Sequence, residues 1–238
     1  MGGYIKALTK SIIIYFLTTS FFVFSMIFLV PLLKDHNFTQ INAYLLSAGF
    51  ALFILFVLAL ALFKIEAKGA SWAGFFKRFR LRRMTRQDAL VTAIAIISIL
   101  ILDGILYGLN SLLFKIGLNF DYSSLPGFTG MDGQLHGHYE VLGFYLAYLF
   151  FNIFGEELLW RGYLLPIQEK ALPKHAWIFN SVFWLIFHFI FAQSIIIMLP
   201  LLFILPYAVQ KQKNTWIGII VHTVTGLVGF ISIIEGVI

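Results

Sequence analysis

The sequence contains no cysteine and few charged residues. Without a thiol, disulfides, thiolate metal sites and a cysteine nucleophile are excluded. Asp, Glu, Lys and Arg make up only 12% of the 238 residues, while 60% are hydrophobic and the mean hydropathy is +0.90. Soluble domains have about 25% charged residues, so an ordinary soluble globule is excluded as well. No internal repeat or low-complexity segment divides the chain, and we treat residues 1–238 as a single membrane domain.

The hydrophobic residues form runs long enough to cross a bilayer, which takes about 20 residues in a helix. These runs lie at 11–33, 41–63, 88–109, 139–161, 175–192, 195–210 and 215–237. The first is too long for a cleaved signal peptide and is predicted to be a span. The fifth and sixth are short and adjoin each other, so six or eight spans are alternatives to seven. We expect an all-α, polytopic membrane helix bundle with about seven transmembrane helices.

Lysine and arginine are distributed unevenly between the two sides of such a bundle. Of the 17, 15 fall on the N-terminal tail and alternate connections, and two fall on the other side. Because cytoplasmic connections are enriched in Lys and Arg, the sequence predicts that the N-terminus lies on the cytoplasmic side. The membrane that we expect is the cytoplasmic membrane. This topology explains the net charge of +6, and we expect no nucleic-acid partner. The longest outer connection, 117–138, carries His136 and His138, to which we assign no function.

The most basic connection, 64–86, also carries aromatic residues at helical spacing. They recur at i, i+3, i+4 and i+7, as Trp72, Phe75, Phe76 and Phe79. This pattern is typical of an amphipathic helix on an anionic leaflet, whereas a solvated basic loop would explain the charges alone. We therefore expect the stretch from Trp72 to Arg86 to contact the lipid bilayer. Thr85-Arg86-Gln87-Asp88 has the form of a capping box that begins the third span.

Two adjacent carboxylates and an arginine lie at the end of the fourth apolar run. Glu156, Glu157 and Arg161 would each cost roughly 2.5–3.5 kcal/mol at the bilayer centre. Glu157 and Arg161 are four residues apart and can pair on one helix face. Glu156 points about 100° away and needs another partner. Both a structural ion pair and a functional site are compatible with this stretch.

Two histidines lie in later apolar runs, His188 one turn after Trp184 and His222 near the end of the chain. Each imidazole needs a polar partner inside the bundle. A lone histidine there is usually a satisfied core residue. Two of them downstream of a Glu-Glu pair could instead hold and deprotonate a water, or bind a divalent metal. Asp103 is the other ionisable residue that we note within the spans.

Together, Glu156-Glu157-x-x-x-Arg161, an aromatic-x-x-x-His and a later His resemble the CAAX-processing and bacteriocin-immunity (Abi) family of intramembrane glutamate proteases. The Gly162-Tyr163-Leu164-Leu165-Pro166 segment is also typical of that family. The resemblance covers about 142–226, within a motif-bearing core at about 139–238.

The resemblance implies a role for each motif residue. Glu156 would be the general base that activates a water for attack on a peptide carbonyl, and His188 would hold that water. Glu157 and Arg161 would shape the site. His222 would help to stabilise the oxyanion. The implied function is an intramembrane endopeptidase that acts on a peptide or protein substrate near the membrane, without a covalent intermediate.

Two positions depart from the family pattern. The family usually has Phe four residues before the first histidine, where this chain has Trp184, and Asn four residues after the second, where it has Gly226. Loss of one oxyanion donor typically costs about 10²–10³ in rate. Asn152 and Thr225 are candidate substitutes. Gly226 favours the alternative of a bacteriocin self-immunity protein that acts by binding, with little or no proteolysis.

A third alternative is a proton- or cation-coupled transporter. It is disfavoured because the sequence has neither repeat symmetry nor spans interrupted by Gly or Pro at matching positions of two halves. No metal or other cofactor is expected. The two histidines are 34 residues apart on different spans, and Arg161 would repel a dication. Zinc is the less favoured alternative, since two Glu and two His are suitable donors for it.

Overall fold

The structure is a computed structural model that describes residues 2–66, 71–115, 141–191 and 195–234. Its helices are α1 (Gly2–Phe24), α2 (Val30–Asp35), α3 (Gln40–Glu66), α4 (Trp72–Arg78), α5 (Arg86–Lys115), α6 (Val141–Glu156), α7 (Leu165–Ala171), α8 (Ala176–Phe187), α9 (Ile195–Gln212) and α10 (Thr215–Ile234). Two π-helical segments, Ser25–Leu29 and Glu157–Leu164, join α1 to α2 and α6 to α7. No strand occurs in the described ranges. His136, His138 and residues 192–194, which lie between the fifth and sixth predicted runs, are outside them.

Five continuous helical stretches are long and apolar enough to cross a membrane. They are Gly3–Asp35, Gln40–Glu66, Arg86–Leu109, Val141–Ala171 and Ile195–Gln212. Two shorter apolar helices, Ala176–Phe187 and Thr215–Leu227, complete the set within the described residues. Each of the seven corresponds to one predicted run, so the chain is a multi-pass, all-helical membrane protein as predicted.

Two predicted runs differ from the helices at their C-terminal ends. The fourth run is predicted at 139–161, and the helical path continues to Ala171. Pro166 lies within this path. Proline has no N–H to donate, and the Gly162 carbonyl oxygen, four residues before it, accepts from Arg78 Nη1 at 3.2 Å. The fifth run is predicted at 175–192; α8 ends at Phe187 with His188 as its C-terminal cap residue, and a 3-10 helix follows at Phe189–Phe191.

The central helices approach one another closely. α3 packs along α6, and α10 contacts α5, α6 and α9. A Cβ at Gly155 would lie 2.6 Å from the Leu52 carbonyl oxygen, so only glycine allows α3 and α6 to meet at this depth. This contact and the packing of α10 fix the position of the residues that follow Gly155.

The aromatic residues of the basic connection turn partly inward. Ser71 caps α4 by accepting from the Gly74 N–H at 3.1 Å. Phe79 is fully buried, and a Cβ at Gly162 would lie 2.7 Å from its ring. Trp72 and Phe76 remain 79% and 44% exposed. A short helix is therefore present, but it ends at Arg78, before the last of the four aromatic residues, and only part of its aromatic surface is exposed.

Three carboxylates tie the basic connection to the bundle. Each pairs with a different arginine: Glu66 of α3 with Arg78 at 3.0 Å, Glu169 of α7 with Arg80 at 2.8 Å, and Asp88 of α5 with Arg82 at 2.7 Å. Asp88 and Thr85 also exchange hydrogen bonds, which confirms the predicted capping box. We call this side of the bundle its basic end.

Candidate active site

The motif residues converge on one cavity of about 300 Å³ inside the bundle. Its wall includes Glu156 at the end of α6, His188 after α8 and His222 of α10. All three are buried. Three residues from different helical segments therefore meet in one cavity.

The Glu156 carboxylate is held by two N–H donors. Asn152, one turn earlier on α6, donates to Oε1 at 3.1 Å. The indole N–H of Trp184 donates to Oε2. A phenylalanine at position 184 would have no such donor, so the change from the usual family residue supplies a hydrogen bond as well as a larger ring.

The histidine of α8 faces the same carboxylate. His188 Nδ1 lies 2.9 Å from the Trp184 carbonyl oxygen. Because a carbonyl can only accept, Nδ1 carries the proton of that hydrogen bond. Nε2 then faces Glu156 Oε1 at 3.9 Å. This separation is too long for a direct hydrogen bond and suits a bridging water.

The second carboxylate of the pair has different partners. Glu157 Oε1 lies 3.1 Å from Arg161 Nη1 and 3.0 Å from His222 Nδ1. The predicted Glu157–Arg161 pair is confirmed, and both side chains are fully buried. The Arg161 guanidinium also stacks on the Trp184 ring at 3.5 Å from its centroid, a favourable cation–π geometry. Trp184 thus contacts Glu156 directly and also contacts Arg161, the partner of Glu157.

The π-helical segment Glu157–Leu164 carries much of the motif and is buried along its whole length. Tyr15 of α1 stacks on Trp160 with ring centroids 4.4 Å apart. Asn180 of α8 donates to the Trp160 carbonyl oxygen at 3.1 Å. π-helical turns of this kind occur often at functional sites. Contacts from α1 and α8 therefore hold an unusual backbone in place.

Position 226 has no amide side chain, and any side chain there would require Leu149 to move. Gly226 lines the cavity, and a Cβ there would lie 2.6 Å from Leu149 Cδ1. Of the two candidate substitutes, Asn152 donates to Glu156. The Thr225 hydroxyl donates to backbone carbonyls of its own helix, at 3.1 and 3.2 Å.

Residues 138–228 match the family described as type II CAAX prenyl endopeptidase, Rce1-like. This part of the chain, which we call the Rce1-like segment, is therefore similar to that family, and the resemblance seen in the motifs is confirmed. No curated protein and no solved structure matches the chain.

Residues outside the Rce1-like segment complete the cavity. Phe22 of α1, Tyr44 and Leu52 of α3, and Asp103 of α5 all line it. Tyr148 lies within the segment but was not singled out from the sequence. A lone acid in an apolar run is the signal that marked Asp103. No comparable signal marks the tyrosines, which resemble ordinary core aromatics.

Some of the donor atoms around the cavity are directed to protein partners. In the described ranges no three His, Asp or Glu side chains form a group that could hold a metal ion. Within the Rce1-like segment, Nδ1 of His188 points to a carbonyl and Nδ1 of His222 points to Glu157. The cavity is left with the Nε2 edges of both imidazoles, the oriented carboxylate of Glu156 and the carboxylate of Asp103.

Proposed function

We propose that this protein is an intramembrane endopeptidase of the CAAX-processing type. It hydrolyses a peptide bond with a water activated by Glu156, and no covalent intermediate forms. The single observation that carries the proposal is the 3.9 Å separation between Glu156 Oε1 and His188 Nε2 inside a cavity. Two acceptors at this spacing can share one water.

The attack step follows from the acceptors on each side. The water donates one hydrogen to Glu156 Oε1 and the other to His188 Nε2, which leaves an oxygen lone pair for the peptide carbonyl. As the carbon–oxygen bond forms, Glu156 takes the proton. It then gives that proton to the leaving nitrogen as the carbon–nitrogen bond breaks. Acid–base catalysis of this kind contributes about 10²–10⁴ in rate.

The second carboxylate supports the oxyanion. In this proposal His222 donates from Nδ1 to Glu157, whose Oε1 lies 3.0 Å away. Its Nε2–H then donates to the developing oxyanion. Arg161 positions Glu157, and Trp184 positions Glu156. The two positioning side chains also stack on each other. Glu157, Arg161 and Trp184 are thus positioning residues in this proposal.

The reaction proceeds without a metal in this proposal. Arg161 lies 3.1 Å from Glu157, and its charge opposes a dication at that carboxylate. The substrate is a peptide or protein segment near the membrane. We also propose the cytoplasmic membrane as location, with the N-terminus and the basic end in the cytoplasm. Exposed Trp72, Lys77 and Arg83 would there meet an anionic leaflet.

Glu156→Gln tests the proposal. The amide keeps the side chain's size but cannot take a proton, so we expect at least about a 1,000-fold loss of cleavage with normal abundance in the membrane. The assay uses protein purified in mild detergent and quenched-fluorescence peptides, with and without a prenyl group. Asp35→Asn, an exposed acid at the end of α2, is the matched control.

Two results would contradict the proposal. One is cleavage by the Glu156→Gln variant at the wild-type rate. The other is stoichiometric bound zinc, with activity that disappears on chelation and returns when zinc is added. The second result would make Glu156 a metal ligand or a metal-assisted base.

A second candidate function is immunity by binding without cleavage, and the environment of Gly226 favours it. An oxyanion donor is missing there, and Leu149 fills the space. If the protein is a weak protease for this reason, Gly226→Asn combined with Leu149→Ala should raise turnover above that of Gly226→Asn alone. No cleavage by wild type or by the double variant, together with tight peptide binding, would favour immunity.

A further inference from the structure

The cavity contains one carboxylate for which the proposed chemistry has no use. Asp103 lies on α5 and lines the cavity with Glu156, His188 and His222. Its Oδ1 is buried and accepts no hydrogen bond from the described residues. An ionisable side chain within a membrane span is expensive and usually has a function. Nothing in the water-activation step explains this one.

The charges of the cavity wall point to the kind of group that Asp103 would meet. Among the described lining residues, Asp103 and Glu156 are the only carboxylates, and none is a lysine or an arginine. Arg161 is directed to Glu157 and the Trp184 ring instead. Two carboxylates in a low-dielectric wall attract a cation. Glu156 is already held by two donors, so the unpartnered oxygen is on Asp103.

The remaining wall also suits a cation with a long apolar stem. Tyr44 and Tyr148 line the cavity, and aromatic rings bind ammonium and guanidinium groups. Leu201 and Met198 from α9 provide apolar surface beside them. A lysine or arginine side chain has this combination of an apolar stem and a charged head.

We propose that Asp103 is a specificity-determining residue that binds a lysine or arginine side chain of the substrate, close to the bond that is cut. The inference rests on the proposed function, because it names the substrate class of the same cavity. Pairing with the substrate gives this partly buried carboxylate a counter-charge that the described residues do not provide. The family match carries no information about Asp103, which lies outside residues 138–228.

The test compares paired peptides that differ in one residue. Lysine and methionine are placed in turn at each position around the cleaved bond, and KM and kcat are measured for each peptide. For wild type we expect kcat/KM to favour lysine by about tenfold or more at one position, mainly through KM. In Asp103→Asn this ratio falls to near one, and in Asp103→Glu it is retained. Asp35→Asn leaves the ratio unchanged.

The Asp103→Asn variant also separates charge recognition from other roles. If Asp103 were a neutral hydrogen-bond donor or only a structural residue, the asparagine variant would keep the ratio or lose both peptides equally. Either result overturns the inference. So does a wild-type enzyme that cleaves both peptides equally well at every position.

Binding to the Glu156→Gln variant makes the inference independent of turnover. Fluorescence anisotropy of labelled peptides should show about tenfold tighter binding of the lysine peptide to Glu156→Gln. That preference should be lost in Glu156→Gln combined with Asp103→Asn. Equal binding of both peptides by Glu156→Gln overturns the inference even if the protein is a protease. A binding preference without wild-type cleavage would instead refute the proposed function and retain Asp103 as the cation site.

Discussion

Gly218 offers a sharp test of how the second carboxylate is held. It lies on α10, and a Cβ at this position would come well within 3.0 Å of Glu157 Oε2. Val209 Cγ2 would lie 3.2 Å from the same Cβ, so the added methyl group cannot shift toward Val209 to relieve the contact. Because Glu157 is fully buried between Arg161 and His222, its carboxylate cannot move without lengthening one of these contacts. Gly218→Ala should therefore disrupt a buried ion pair with one methyl group.

The expected magnitude is the difference between two opposing effects. Breaking a buried ion pair costs about 3–5 kcal/mol, whereas alanine in a helix interior is better than glycine by about 1 kcal/mol. The net loss is about 2–4 kcal/mol. For a chain of this size each kcal/mol lowers Tm by about 2–4 °C. Gly218→Ala is thus expected to lower Tm by roughly 4–16 °C.

The measurement is thermal unfolding in detergent, followed by intrinsic tryptophan fluorescence. Gly108→Ala is the matched control, since Gly108 is an exposed helical glycine with nothing within 4 Å of its Cβ position. It should not lower Tm. In a Glu157→Ala background the added methyl no longer meets a carboxylate, so Gly218→Ala should cause no further loss. Equal Tm values for the Gly218 and Gly108 variants would refute the reasoning.

Three further predictions concern the same network and its surroundings. Trp184→Phe removes the donor to Glu156 but keeps a ring under Arg161, so turnover should fall by about tenfold or more while Tm changes less than in Gly218→Ala. A Tm loss as large as that of Gly218→Ala would contradict this. Arg161→Ala removes the buried arginine that pairs with Glu157 and leaves His222 as its remaining partner, so folded protein in the membrane should decrease relative to wild type on a quantitative immunoblot. Glu169→Gln removes one carboxylate that pairs with two cations at the basic end; its Tm deficit should shrink as salt is raised, and a salt-independent deficit would argue against an electrostatic cause.

The sequence predicted the features that depend on local spacing. The apolar runs predicted the helices, and the separation of four residues predicted the Glu157–Arg161 pair. Thr85 and Asp88 predicted a helix start because both sides of a capping box lie within one turn. In each case the partners are neighbours in sequence, so no knowledge of tertiary packing was needed.

Features that depend on packing between helices were not predicted. The sequence marked Trp184 only as a departure from the family pattern, but its indole N–H donates to Glu156, which lies 28 positions earlier in the chain. Phe79 was expected to face lipid, but its ring packs against Gly162, where the absence of a side chain leaves space for it, and it is fully buried. The π-helical backbone of Glu157–Leu164 is equally hidden, because a 3.6-residue period describes only the α-helix. The sequence of α5 alone does not show which face of the helix lines the cavity. It therefore does not show that Asp103 is part of the cavity wall.

The division of the cavity wall between two stretches of chain has an evolutionary consequence. The motif residues lie in α6 to α10, whereas Tyr44 and Asp103 come from α3 and α5. Mutations in α3 and α5 can therefore alter what fits the cavity without changing any residue that is proposed to move a proton. Chimaeras that exchange these helices between paralogues should inherit the cleavage preference of the donor of α3 and α5. Divergence of substrate choice would then accumulate in the part of the gene where the family signature leaves no trace.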